Sequence, residues 1–342
     1  MRIFITGGAG YVGSACLRRL LEAGHEAFAY DNLVEGHPEA VPEGRLIRGD
    51  IADTAAVADA LRSTGAEAVM HFAAATYVGE SVKDPEYHYR NNIAGTLSLL
   101  NAMRTAQVKR LLFSSTCATY GVPTQVPMSE ENPQAPINPY GRTKLAVEWM
   151  IRDFAAAYGM GFTLLRYFNA AGASPDGWYG EDHDPETHLI PLVLRVPLGQ
   201  SEKIMVFGDD YPTHDGTCIR DYVHTDDLAE AHLLAIAAIT PETGEVYNIG
   251  TGQGSSVLDV VKACEEVSGR DIPLDIVARR PGDPPALVAD PSKLMKALGW
   301  RPRYPQILPV VETAWRWHES HPHGYGSSGA RRTGQEDCEV PP

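Results

Sequence analysis

The chain is 342 residues long and carries 44 acidic against 29 basic side chains, a formal net charge of −15; this argues against a nucleic-acid partner, which would call for a basic patch. No run of about 18 apolar residues occurs and the chain starts directly on an apolar strand, so neither a membrane span nor a signal peptide is read, and a cytoplasmic protein without a membrane partner is expected. Five scattered cysteines are poor material for a disulfide framework or a zinc site, and no metal is expected.

The first predicted element is a strand, Arg2–Thr6, which feeds the turn Gly7-Gly8-Ala9-Gly10-Tyr11-Val12-Gly13. Val12, Cys16, Leu17, Leu20 and Leu21 then recur at helical spacing until Gly24, and Ala27–Tyr30 reads as a second strand ending on Asp31. In such a strand-helix-strand unit, glycines let backbone N–H groups approach a pyrophosphate, and the helix start adds partial positive charge. A carboxylate at Asp31 accepts from a free ribose 2′-hydroxyl and repels a 2′-phosphate, which favours NAD over NADP.

From Asp31 to about Asn169 strands (Arg45–Ile47, Ala68–His71, Arg110–Phe113, Phe162–Arg166) alternate with helices (Ala55–Ser63, Tyr87–Thr105, Tyr140–Tyr158). That alternation predicts an α/β fold, a doubly wound parallel sheet of the Rossmann type. Beyond it Pro, Gly and Asp crowd Ala173–Pro185 and Gly208–Gly216, followed by shorter elements at Leu189–Leu198, Ile204–Phe207, Asp226–Ile239, Val246–Ile249, Val257–Ser268 and Ser292–Leu298. These predict a smaller C-terminal α/β lobe that binds substrate. The expected division is 1–175 for the dinucleotide domain, 176–320 for the lobe, with 218–245 returning to the main domain and Cys218–Val223 to its sheet, and 321–342 for a flexible tail.

Three segments read as cofactor walls, because ligands sit at the carboxyl ends of parallel strands. They are Gly49-Asp50-Ile51, His71-Phe72-Ala73-Ala74-Ala75 and Phe113-Ser114-Ser115-Thr116. Tyr140-Gly141-Arg142-Thr143-Lys144 carries the chemistry: positions i and i+4 share a helix face, so phenol and ammonium address one site. A free tyrosine has a pKa of about 10; a neighbouring ammonium and a cationic nicotinamide should lower it and make Tyr140 a base. Thr116 would hydrogen-bond the reacting oxygen.

These motifs, with Gly79-Glu80-Ser81-Val82, Asn91-Asn92, Gly95-Thr96, Leu165-Arg166-Tyr167-Phe168-Asn169 and the stretch from Phe207 to Tyr222, together resemble the UDP-glucose 4-epimerases of the extended short-chain dehydrogenase/reductase superfamily. The resemblance spans about residues 1–318. It implies that NAD is held by Gly7, Gly10, Tyr11, Val12, Asp31, Asn32, Asp50, Ile51, Phe72, Ala73, Ala74, Asn91, Ser114, Tyr140, Lys144 and Tyr167. It assigns the UDP-sugar to Thr116, Tyr140, Asn169, Leu189, Phe207, Arg220, Arg280 and Asp283, with Thr116, Tyr140 and Lys144 as the catalytic set. Guanidinium forks suit a diphosphate, and Asp283 could accept from ribose hydroxyls. Three positions depart from the pattern: Thr116 replaces a serine, His188 stands where some members bind the diphosphate through asparagine, and Leu287 replaces the bulky tyrosine of glucose-restricted members. Leucine there should leave room for an N-acetyl hexosamine.

The reaction implied is a 4-epimerisation through a transient 4-keto sugar, on hexose or pentose, by a homodimer; its seam is expected around Tyr87–Thr105 and Ala146–Tyr158, whose apolar faces fit a place in the core equally well. A dehydratase or decarboxylase would need acid-base groups just after Thr116, where Cys117 and Ala118 stand. A non-catalytic NAD sensor is a further reading, since fold alone does not establish function.

Overall fold

The computed structural model describes residues 1–280 and 282–326. Its elements run β1 (Arg2–Thr6), α1 (Tyr11–Glu22), β2 (Glu26–Asp31), β3 (Leu46–Arg48), α2 (Thr54–Thr64), β4 (Ala68–His71), α3 (Val78–Lys83), α4 (Pro85–His88), α5 (Gly95–Thr105), β5 (Arg110–Thr116), α6 (Pro139–Tyr158) and β6 (Gly161–Tyr167). The later part comprises β7 (Asn169–Ala171), α7 (Leu189–Leu194), β8 (Ile204–Phe207), β9 (Ile219–Arg220), β10 (Tyr222–His224), α8 (Thr225–Ala238), β11 (Gly244–Ile249), β12 (Ser255–Ser256), α9 (Val257–Ser268), β13 (Leu274–Val277), β14 (Ala286–Leu287), α10 (Ser292–Leu298) and α11 (Ile307–Ser320).

Seven parallel strands form the main sheet in the order β11-β6-β5-β4-β1-β2-β3. Strand β1 alternates faces, as the period of two requires: Ile3 and Ile5 join the core beneath α1 and α8, while Phe4 joins the core beneath α2, α5 and α6. A third core in the lobe gathers α7, α9 and α11 around Val260, Val310 and Trp315. The strand order reverses between β1 and β4. Ligands lodge at such a switch point, outside the carboxyl ends of the strands.

The structure departs from the predicted elements at several points: α7 stops at Leu194, α3 and β13 were not predicted, and four further differences have a clear place in the fold. Cys218–Val223 does not rejoin the main sheet; Gly244–Ile249 takes that edge beside β6. The cause is Asp221, wholly buried, whose carboxylate accepts from Thr251 N, Thr251 Oγ1, Gly252 N and Ala289 N. A buried carboxylate must gather donors, and the segment splits around it into β9, paired with β12 and β14, and β10, paired with β7. The helix expected over Tyr87–Thr105 is broken by a π-helical turn at Tyr89–Ala94, where the Asn92 side chain bonds Ala75 N, Ala75 O and Thr143 Oγ1. Strand β5 runs on through Ser114, Ser115 and Thr116. Finally, α11 was not anticipated, and the chain after it packs as far as Tyr325, which accepts from Gly180 N and stacks on His37 with ring centroids 4.8 Å apart. The remainder of the expected flexible tail, 327–342, lies outside the described residues.

Candidate active site

Beneath the switch point, the glycine turn is shaped by contacts that exclude side chains. Gly7 adopts φ +72°, and a Cβ on it would lie 2.5 Å from the Ala73 nitrogen; one on Gly13 would lie 2.1 Å from the Gly7 oxygen. Gly10 opens α1 with no side-chain cap, so the N–H groups of the first turn, around Tyr11 and Val12, remain free for an anion. Asp31 is buried at the end of β2, accepting from Ala9 N at 3.0 Å and Leu33 N at 2.9 Å, and burial raises its pKa. Asn32 reaches the Asp50 carboxylate at 3.2 Å, and buried Ile51 lies against Gly95. Phe72 and Ala73 both donate to the Thr6 carbonyl, which draws Ala73 and Ala74 to the turn, and Asn91 follows through its 3.1 Å bond to Asn92. A turn that only glycine can line, beside a carboxylate already oriented by two N–H groups, fits a dinucleotide.

The reacting side is built by α6. Asn138 caps its start, accepting from Gly141 N at 2.8 Å. Gly141 lets the helix approach the chain just past β5, since a Cβ there would lie 2.5 Å from the Ala118 oxygen. That approach brings the Tyr140 phenol to the Thr116 hydroxyl, which lowers the phenol's pKa in part, while Thr116 Oγ1 accepts from Ala118 N at 3.1 Å. Lys144, only 2% exposed, donates to the Ser114 carbonyl at 2.9 Å, and the Ser114 hydroxyl bonds the Tyr167 hydroxyl.

Burial dominates the electrostatics of Tyr140 and Lys144. Burial pushes the Tyr140 phenol well above its ordinary value, and the Thr116 hydroxyl offsets only part of that. The Lys144 ammonium lies 6.0 Å from the Tyr140 ring centroid, and burial lowers its own pKa to about 7 against a smaller upward pull from Glu148. A charge taken out of water without a close partner behaves this way. Cys117, the next residue after Thr116, is no proton donor at neutral pH: burial raises its thiol to about 12.

Opposite stands the lobe. Arg280 lies 4.0 Å above the Phe207 ring at the end of β8. Arg220 is ion-paired to Asp283 and donates to the carbonyls of Ile219 and Pro284 at 2.7 and 3.0 Å, so these two expected ligands face each other. Leu287 pairs with Arg220 across β14 and β9 and packs near Tyr120, Met128 and Phe168. Asn169 opens β7, and Leu189 opens α7 behind His188. The His188 imidazole is engaged by Glu181 at 2.8 Å and Glu186 at 3.0 Å.

Sequence reading missed the groups that hold α6 in place. Glu148 and Arg166 are fully buried and paired through two contacts, 2.8 and 2.5 Å; Ser115 also donates to Glu148, at 2.6 Å, and Arg166 to the Tyr120 hydroxyl, at 2.9 Å. This joins α6 to β5 and β6. The available signal was a lone arginine in the apolar strand Gly161–Tyr167, because a charge in such a strand needs a buried partner.

Residues 3–250 match the NAD dependent epimerase/dehydratase family, and the chain belongs to that family. Within it the chain groups with the UDP-glucose 4-epimerases. It is 49% identical over 328 residues to the UDP-glucose 4-epimerase of Halalkalibacterium halodurans, covering 96% of this chain and 98% of that one. The UDP-glucose 4-epimerase of Brucella ovis, solved in complex with NAD, superposes with a TM-score of 0.89 at 46% identity, covering 92% and 97%. That of Bifidobacterium longum, solved with NAD+ and UDP, gives 0.90 at 38%, covering 95% and 100%. No helix among the described residues is long and apolar enough to cross a membrane.

Proposed function

We infer that the chain is an NAD-dependent 4-epimerase of UDP-sugars, interconverting UDP-glucose and UDP-galactose. The observation that carries this reading is the packing of α6 on the chain just past β5, through Gly141 against Ala118 and Lys144 on the Ser114 carbonyl, which sets Tyr140 beside Thr116 and near a dinucleotide-shaped turn. NAD held by the Gly7–Gly13 turn and Asp31 would supply a reversible hydride acceptor for sugar C4. Tyr140 takes the 4-hydroxyl proton and later returns it, with Thr116 holding the same oxygen. Lys144, bonded to the Ser114 carbonyl, and Tyr167, bonded to the Ser114 hydroxyl, would hold the dinucleotide beside the phenol. Arg220, Arg280 and Asp283 bind the nucleoside diphosphate, with Phe207, Asn169 and Leu189 lining its path.

A dehydratase is disfavoured by the protonated Cys117 thiol and Ala118 beside Thr116. The half-buried Leu287 supports acceptance of N-acetylated sugars. Exposed Tyr89, Leu97 and Trp149 near and on α5 and α6, at 43, 42 and 59%, support a homodimer through these helices, which light scattering tests as a particle of two chain masses. The decisive assay incubates the purified chain, with no cofactor added, with UDP-glucose, UDP-galactose, UDP-GlcNAc and a UDP-pentose, and separates the products. Conversion of UDP-glucose is expected; a chain carrying NAD that converts none of the four is not an epimerase.

A further inference from the structure

The loop between β7 and α7 gathers four side chains, of which only His188 has an expected role in the reaction, at the position where some family members bind the diphosphate. Glu181, His183, Glu186 and His188 each offer one ligand atom, and these atoms all lie within 4.8 Å of one another. The measured nitrogen-to-oxygen separations are 2.8 and 3.0 Å from His188 Nδ1, and 3.4 and 3.7 Å from His183 Nδ1. Four ligands at 2.0–2.1 Å from a tetrahedral ion stand about 3.3 Å apart, near the middle of that range.

We propose that Glu181, His183, Glu186 and His188 form a tetrahedral zinc site. The donor set is of the nitrogen-and-oxygen kind that zinc accepts. Both carboxylates are buried, at 5 and 3% side-chain exposure. The His183 Nδ1 atom is itself buried, points into the cluster, and has no hydrogen-bond partner; a lone pair on a metal accounts for it, where a neutral imidazole N–H would be left unsatisfied. One divalent ion also balances two carboxylates and two neutral imidazoles in charge. The His183 ring is held edge-on between Tyr11 and Tyr77 at 6.1 Å from each, so the site pins the loop against the start of α1.

The site also revises the expectation of no metal, which rested on cysteine. Sequence shows the ligands only as Glu-x-His-x-x-Glu-x-His, without burial.

The test uses the untagged full-length chain, loaded with Zn2+ and desalted, with metal content read by mass spectrometry and unfolding followed by heat. Wild type should retain about one equivalent, and a strong chelator should lower its thermal midpoint. His183→Gln and Glu186→Gln should each retain under a tenth of an equivalent, with midpoints indifferent to zinc and chelator. Two outcomes overturn the proposal: wild type retaining no zinc with an unmoved midpoint, or variants retaining as much as wild type, which would place the ion elsewhere. The wild-type arm decides even if a variant fails to fold.

Discussion

The two sides of the candidate site, the sheet wall and the lobe wall, are built differently. The sheet wall is dry and fixed: Ser114, Thr116 and Lys144 are 5, 8 and 2% exposed, and α6 behind them is clamped by the buried Glu148–Arg166 pair. The lobe wall is assembled from strands of two to four residues, and Arg280 is exposed while Arg220, Asp283, Phe207 and Leu287 are half-buried. A dry wall shifts pKa values and suits proton transfer. A wetter wall of arginines and small strands suits binding and choice of substrate. Chemistry and specificity should therefore separate by wall.

Four substitutions test that separation. Tyr140→Phe should lower kcat by about 10²–10⁴-fold, the usual worth of general acid-base catalysis, while NAD remains bound by absorbance; unchanged turnover would remove the phenol from the mechanism. Arg220→Met, on the other wall, should raise KM about 10–100-fold with kcat little changed, as expected for the loss of a charged hydrogen bond. An equal fall in kcat would erase the distinction between walls.

Leu287→Tyr should sharpen it: activity on UDP-GlcNAc should drop about 10–100-fold relative to UDP-glucose, the range a pocket wall can enforce by shape. If both sugars slow alike, Leu287 does not set specificity. The smallest effect concerns stability. The folded pKa of Lys144, about 7, lies below the unfolded value, so between the two the unfolded chain holds the extra proton and stability rises with pH. The cost of the buried ammonium is fully present below about pH 7. Cofactor-free wild type should gain about 1 kcal/mol between pH 7 and 8 from this group, and Lys144→Met should lose that rise in denaturant titrations. Parallel curves would mean that Lys144 keeps its charge.

Much of the sheet wall was legible in the sequence. The glycine turn, Asp31, Thr116 and the Tyr140–Lys144 spacing all obey local rules of turn and helix. Val257–Ser268 and Ser292–Leu298 were bounded correctly for the same reason. The lobe was less legible, because β9 and β14 are two residues each and too short for a period. Asp221 reads as an ordinary surface acid until Thr251 and Ala289 are seen to surround it.

By itself, the order of residues determined the parallel α/β sheet, the dinucleotide turn and the phenol-ammonium pair, since each depends on neighbours within a turn or two of chain. Only the tertiary structure decided that Lys144 bonds the Ser114 carbonyl, that Arg220 meets Asp283, and that two glutamates and two histidines converge. The physical reason is that charge states and partners follow from burial, and burial is set by which distant segments come to lie against one another.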